Sequence, residues 1–305
     1  MGKISFVFSG QGAQYGGMGK SLCESSKAAA DVFARLDAIR PGTSELCFNG
    51  TTEELSRTEN TQPCMFAVEL AAYEALREAG IACDMTAGFS LGEIAALTAC
   101  GAVGLEEGFR IVSRRGELMA RDAAAVESGM YAVVKLPPEK TEELCAAYEH
   151  VYPVNYNSPG QVSVAGLKDE LALFSKDVRA AGGRAIPLKV AGAFHSPLMN
   201  DASRDFGELL AKVEFSKPAF PLYSDCTAQP YDSDFAVMLQ RQIVSPVKWQ
   251  AIVEDMHRCG VDTFVELGPG KTLCGLISKT LPDVKVLHVE DAESLAETIQ
   301  GVQAC

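Results

Sequence analysis

Gly88, Phe89, Ser90, Leu91 and Gly92 make a Gly-x-Ser-x-Gly turn between a short apolar run around Met85 to Ala87 and a helical stretch from Leu91 to about Ala99. Glycine at both ends lets the backbone reverse sharply, which lifts the serine hydroxyl above a strand end and sets it at the positive end of the following helix. There the Leu91 amide can help to hold an oxyanion. The chemistry this arrangement serves is attack on an acyl carbonyl through a covalent acyl-serine. The same five residues also fit a plain strand-to-helix turn, so the motif needs a base beside it.

The chain offers four histidines, His150, His195, His257 and His288. His150 ends a helix of the middle segment, His257 lies in a polar helical stretch, and His288 follows an apolar run as a strand-end residue would. His195 sits in Gly192-Ala193-Phe194-His195-Ser196-Pro197, a small and helix-breaking context that opens a new helix at about Leu198. A loop of this kind can aim an imidazole into a cleft, which makes His195 the candidate base for Ser90.

Two nucleotide-binding readings of the glycine-rich N-terminus fail on spacing. Gly10-Gln11-Gly12 starts a dinucleotide fingerprint whose third glycine falls at 16 instead of 15. Gly19-Lys20-Ser21 resembles the end of a phosphate loop, but its first glycine position holds Gln14. What remains is a loop whose amides, that of Gln11 especially, can face the serine turn from the neighbouring strand as a second oxyanion donor.

These residues need a frame. Lys3 to Phe8 reads as a strand that runs into the glycine loop and then a helix to about Leu36. Further helices are expected at Pro63 to Ala79, Leu105 to Met119 and Thr272 to Leu281, with buried strands at Asp262 to Leu267 and Val284 to Val289. This alternation implies an α/β fold with a mostly parallel sheet covered on both faces. The middle differs: strand Met130 to Lys135, helix Pro138 to Tyr148, strands Val151 to Tyr156 and Gln161 to Ala165 joined through Asn157 to Gly160, helix Asp169 to Ala181, strand Arg184 to Val190. That β-α-β-β-α-β order is ferredoxin-like. It sets a small inserted domain at 127–191 within a large domain formed by 1–126 and 192–305.

With 305 residues, 47% of them hydrophobic, the chain can bury a large core. A net charge of −13 argues against nucleic acid or anionic lipid as a partner. Arg110, Arg114, Arg115 and Arg121 could make a local basic patch, although a solvated helix face is the plainer reading. No run approaches the about 20 apolar residues of a membrane span, and the short run Ile4 to Phe8 is no signal-peptide core. The ten cysteines, from Cys23 to Cys305, are scattered without a Cys-x-x-Cys, which points to reduced thiols, with no disulfide or structural zinc, and a cytoplasmic location.

Six motifs in order carry a resemblance: Gly10-Gln11-Gly12-Ala13-Gln14, Gly88 to Glu93, Arg115-Gly116, Ala193-Phe194-His195-Ser196, Arg241-Gln242 before Ser245-Pro246-Val247, and Glu266-Leu267-Gly268-Pro269-Gly270. Together they resemble the malonyl-CoA:acyl carrier protein transacylases, over almost the whole chain. That family has an α/β-hydrolase-like large domain with a ferredoxin-like insert, the arrangement read above. The resemblance implies malonyl transfer from coenzyme A to acyl carrier protein for fatty acid synthesis, with no metal or bound cofactor.

It further implies that Ser90 is acylated, that His195 activates it, and that the Gln11 and Leu91 amides form the oxyanion hole. A main-chain carbonyl at Gln242 would orient the base. Arg115 would bind the substrate carboxylate, a role that suits a guanidinium on chemical grounds, although a shift in helix phase would turn Arg114 inward instead. Phe194, Phe89 and Asn157 would line the substrate site, and the Phe194-His195 pair matches malonyl-selective members over methylmalonyl-using ones. Phe89 departs from the family, which often has histidine before the nucleophile; changed packing beside the acyl group is the expected consequence. A trans-acting polyketide acyltransferase shares all of these features. A serine hydrolase or thioesterase shares the turn but usually places its histidine late in the chain.

Overall fold

The computed structural model describes residues 2–303. Two separate four-stranded sheets organise it. The first contains β1 (Lys3–Phe8), β2 (Met85–Gly88), β7 (Val261–Leu267) and β8 (Lys285–Val289), all parallel, in the order β2-β1-β7-β8. Helices cover both faces, which is why β1 is apolar without alternation. Phe6 and Phe8 point to one side, against Leu70 and Tyr73 of the helix Thr58–Glu78. Val7 points to the other, where Trp249, Ile252, Phe264 and Leu273 make a second core.

The second sheet contains β3 (Ser128–Val134), β4 (Val151–Ser158), β5 (Gln161–Leu167) and β6 (Arg184–Pro187), antiparallel in the order β4-β5-β3-β6. Its crossover helices Pro138–Cys145 and Lys168–Ala180 lie over a small core of Val133, Val164, Leu171, Phe174 and Val178. The α/β class, the parallel sheet and the ferredoxin-like strand order all match the expectation.

Pro153 lies in β4, an edge strand where the missing N–H leaves no ladder bond unmade. The free side of β4 is covered by the chain around Val247: the Tyr156 amide donates to the Val247 carbonyl at 2.9 Å and the Val247 amide to the Val154 carbonyl at 2.9 Å. This clip ties the small sheet to the segment that carries Gln242 and Ser245.

Element ends differ from expectation for physical reasons. The first helix is two, Lys20–Ser25 and Lys27–Asp37, because Ser26 is extended and its side chain caps Ala29. The helix expected to start at Pro63 starts at Thr58, so Pro63 is an internal residue in its second turn. The arginine-bearing helix continues to Ala125. Asn157 and Ser158 belong to β4, leaving Pro159 and Gly160 (φ 70°) as the turn. The last strand of the insert stops at Pro187 instead of Val190. The nine described cysteines are free thiols; Cys305 lies outside the described residues. Among the described residues no helix is long and apolar enough to cross a membrane.

Candidate active site

β2 ends at Gly88 and the next helix begins at Gly92. The turn between them is as tight as its glycines permit: a Cβ at Gly88 would lie 1.9 Å from the Gly92 carbonyl carbon, and one at Gly92 would lie 2.4 Å from the Phe8 carbonyl oxygen. Backbone cannot move aside for either. Gly92→Ala is therefore expected to cost about 3 kcal/mol or more of stability; a denaturation midpoint equal to that of the unmodified protein would contradict this packing. Ser90 itself has φ 58° and His195 φ 63°, left-handed values that are uncommon for side-chain-bearing residues and that fall here on the two candidate catalytic groups.

The two meet at the end of β2. The His195 Nε2 lies 2.7 Å from the Ser90 Oγ, and its Nδ1 lies 2.9 Å from the main-chain carbonyl of Gln242. A carbonyl only accepts, so Nδ1 carries the hydrogen and Nε2 is left as a lone pair aimed at the serine hydroxyl. His195 is 3% exposed. Burial, then the nearby Arg115 charge, hold its pKa down at about 4, against smaller upward pulls from the Gln242 and Ser245 carbonyls. The imidazole is thus a neutral base at ordinary pH.

Because the folded-state pKa is depressed below the ordinary 6.5, the base stays competent until the pH falls to about 4. The acylation rate is expected to be level from neutral pH down to that region, and an inflection at 6.5 in stopped-flow acylation would contradict the burial argument. For stability the sign is the same. The unfolded chain takes up this proton first, so stability supplied by neutral His195 is complete above 6.5 and is lost as the pH falls towards 4.

Arg115 lies wholly inside, 0% exposed, on the helix Leu105–Ala125. One terminal nitrogen donates to the Ser90 Oγ at 3.1 Å and to the Gln242 Oε1 at 2.9 Å; the other donates to the Gln62 Oε1 at 2.9 Å. Burial lowers its pKa to about 10, opposed by Asp225 and Glu93, and it remains a cation at neutral pH. Arg114 faces out and pairs with Glu117, as Arg110 does with Glu107 and Arg121 with Asp122 and Asp205. The four arginines form no common patch.

Ser90, Leu91, Gln11, Phe194 and His195 line one cavity of about 80 Å³ with Gln62, Met119, Met130, Asn155, Leu188 and Val190. The backbone amides of Gln11 and Leu91 have no acceptor among the described residues, which leaves both free for an oxyanion. An adjoining cavity of about 190 Å³ shares Gln11, Phe89, Asn155 and Leu188 and continues past Asn157, Gln161, Ser163 and Leu276. Asn157 therefore stands in the outer chamber, where its Nδ2 donates to the Ser163 Oγ at 3.1 Å. Phe89, between the chambers, packs on Trp249 with ring centroids 5.6 Å apart.

The other histidines are engaged elsewhere: His150 with Glu170 at 2.8 Å, His257 with the Val261 carbonyl at 2.8 Å, His288 with Glu290 at 3.7 Å. Sequence reasoning missed Gln62, Asn155 and Asp225. Gln62 and Asn155 are polar residues buried on a helix and a strand; Gln62 precedes the helix expected from Pro63, so the buried stripe that would mark it shows only once that helix is known to start at Thr58. Asp225 had no visible signal, since it comes from an irregular segment.

This geometry serves acyl transfer, and the comparisons agree. Residues 5–304 match the model of the acyl transferase domain. A Bacillus subtilis malonyl CoA-acyl carrier protein transacylase is 36% identical over 99% of this chain and 98% of its own length. The crystal structure of the Clostridium perfringens malonyl CoA-acyl carrier protein transacylase superposes with TM-score 0.95 at 36% identity, covering 99% of this chain and 98% of that one. A malonyl-transacylase solved with its type II PKS acyl-carrier protein superposes with TM-score 0.94 at 32% identity, covering 98% and 99%. The chain belongs to the acyl transferase family and, within it, to the malonyl-CoA–acyl carrier protein transacylases.

Proposed function

We propose that this chain moves a malonyl group from coenzyme A to the phosphopantetheine thiol of an acyl carrier protein in fatty acid synthesis, through malonyl-Ser90. The observation that carries this reading is a buried guanidinium 3.1 Å from a serine hydroxyl that a neutral imidazole holds at 2.7 Å. A neutral acyl group has no use for that cation, whereas the malonyl carboxylate does.

His195 takes the Ser90 proton as the oxygen attacks the thioester carbonyl. Negative charge on that carbonyl oxygen is met by the Gln11 and Leu91 amides. Collapse breaks the carbon–sulfur bond, and the imidazolium returns its proton to the departing coenzyme A sulfur. The carrier thiol then repeats the steps in reverse order, giving its proton to His195 and leaving with the malonyl group. Phe194 and Phe89 wall the acyl end, Asn157 lines the path of the pantetheine arm, and a malonyl group bound to Ser90 would itself take up much of the chamber of about 80 Å³ that a competing water would need. On this reading the catalytic body is 1–126 with 192–305, and the insert 127–191 closes over the thioester. The cytoplasm is the compartment it implies, in keeping with free thiols spread through the chain.

The test is to supply labelled malonyl-CoA and the phosphopantetheinylated carrier protein together. Label passing to the carrier supports the transferase; label appearing only as free malonate would make the chain a hydrolase. A polyketide carrier is the second reading, favoured by the likeness to the malonyl-transacylase solved with a type II PKS carrier. Faster transfer to such a carrier than to a fatty acid synthesis carrier would select it.

A further inference from the structure

Beneath the serine turn lies a pair of acids that the mechanism above does not use. Glu93 is 0% and Asp225 1% exposed. Glu93 is well supplied with donors: the Tyr231 hydroxyl on Oε1, and on Oε2 the Gln242 Nε2 at 2.5 Å and the Asp225 amide at 3.4 Å. Asp225 is supplied on one side only. Its Oδ2 accepts from the Ser90 amide at 2.8 Å and from the Gln242 Nε2 at 3.0 Å, while its buried Oδ1 has no donor. The two carboxyl groups nevertheless converge on one nitrogen, the Gln242 Nε2, which lies 2.5 Å from the Glu93 Oε2 and 3.0 Å from the Asp225 Oδ2, a closeness that disfavours two ionised carboxylates.

We propose that Asp225 carries a proton which it donates to an ionised Glu93, so that the pair is a singly charged clamp positioning the Ser90 peptide and the Gln242 side chain. A proton on Asp225 removes one of the two like charges that converge on the Gln242 Nε2 and spares the buried, donor-less Oδ1 a full share of negative charge. The Gln242 amide then links the pieces: Nε2 also reaches the Ser90 carbonyl at 2.7 Å, Oε1 accepts from Arg115, and the main-chain carbonyl holds His195. Charge points the same way. One negative charge balances the buried Arg115 cation, while a second, hydrogen-bonded to the nucleophile's own amide, would oppose both the oxyanion and the malonyl carboxylate. Burial pushes both acids up, Asp225 well above the usual range with Glu93 adding to the push. Asp225 and Glu93 touch no substrate and act as positioning residues.

The inference rests on Ser90 being the nucleophile, and its test has one arm that does not. Asparagine reproduces a protonated aspartate, with an oxygen to accept from Ser90 and Gln242 and an N–H to give to Glu93. Asp225→Ala should lower the acylation rate about 100-fold and Asp225→Asn should restore it to within about threefold of the native rate, whereas Glu93→Gln, which sets an N–H against donors, should stay about 100-fold down. The reverse ranking, or equal effects of the Asn and Gln changes, would overturn the assignment. Independently of activity, infrared spectra of the unmodified protein should show a protonated-carboxyl band that shifts when aspartate side chains are isotope-labelled and is missing from Asp225→Asn, distinct from the glutamate-sensitive band expected of the buried, unpartnered Glu69. Absence of an aspartate-sensitive band, or its survival in Asp225→Asn, would overturn the proposal even if malonyl transfer were confirmed; the expected band would stand even if the donor were another acyl-CoA.

Discussion

Ser90→Ala is expected to lower malonyl transfer by at least about 10⁴-fold and to leave no acyl adduct, because no other group at the end of β2 can form the covalent intermediate. The fold should tolerate the change. Ser90 is only half buried, the turn geometry is set by Gly88 and Gly92, and the backbone bonds from the Ser90 amide to Asp225 and from Gln242 to the Ser90 carbonyl do not involve the hydroxyl. What is lost is the oxygen between His195 and Arg115. A residual rate of a few per cent, with circular dichroism and Tm unchanged, would mean that the nucleophile is elsewhere or that transfer is direct.

Arg115→Ala should reduce kcat/KM for malonyl-CoA by about 10³-fold, the loss of two charge-assisted hydrogen bonds. Removing a fully buried cation also strands Gln62, Gln242 and the acid pair beneath, so overall activity and Tm will fall for structural reasons as well. The ratio between substrates separates the two effects. Acetyl-CoA has no carboxylate to lose, so the malonyl-to-acetyl preference should collapse by about 100-fold or more. Equal losses on both substrates would mean that Arg115 only supports the Ser90 and Gln242 geometry and that the acyl carboxylate is bound by another group.

The parts of this site that could be read from sequence are those encoded locally. A strand, two glycines around a serine and a helix are contiguous, so Ser90 and Leu91 were legible from residues 85–99 alone. His195 stood out because few histidines compete and because Pro197 and Gly192 break the chain beside it. Arg115 over Arg114 is a matter of helix phase: Arg115 shares the buried face with Ile111, Val112, Leu118 and Met119, three and four residues away on either side, and Arg114 does not. The group of Gln242 that the His195 Nδ1 meets is a main-chain carbonyl, which every residue possesses, so no residue type announces it; only the likeness to a family pointed there. Its side chain proved as consequential, joining Arg115, Ser90, Glu93 and Asp225.

The fold was legible where periodicity is strong. The continuous apolar strands of the parallel sheet and the alternating strands of the insert both followed from pattern. Errors came where local chemistry overrode pattern: Pro63 is carried inside a helix whose packing against the neighbouring helix Leu105–Ala125 outweighs one missing hydrogen bond. The clip between β4 and Val247 joins segments about ninety residues apart, and nothing in either stretch marks it.

The purified protein should be mixed with malonyl-CoA alone, quenched in acid, digested and mapped by mass spectrometry. A malonyl group on the peptide containing Ser90, absent after Ser90→Ala, is the predicted result and would establish nucleophile, donor and covalent route together. Release of free coenzyme A and malonate with no adduct at Ser90, or an adduct on a different residue, would contradict it.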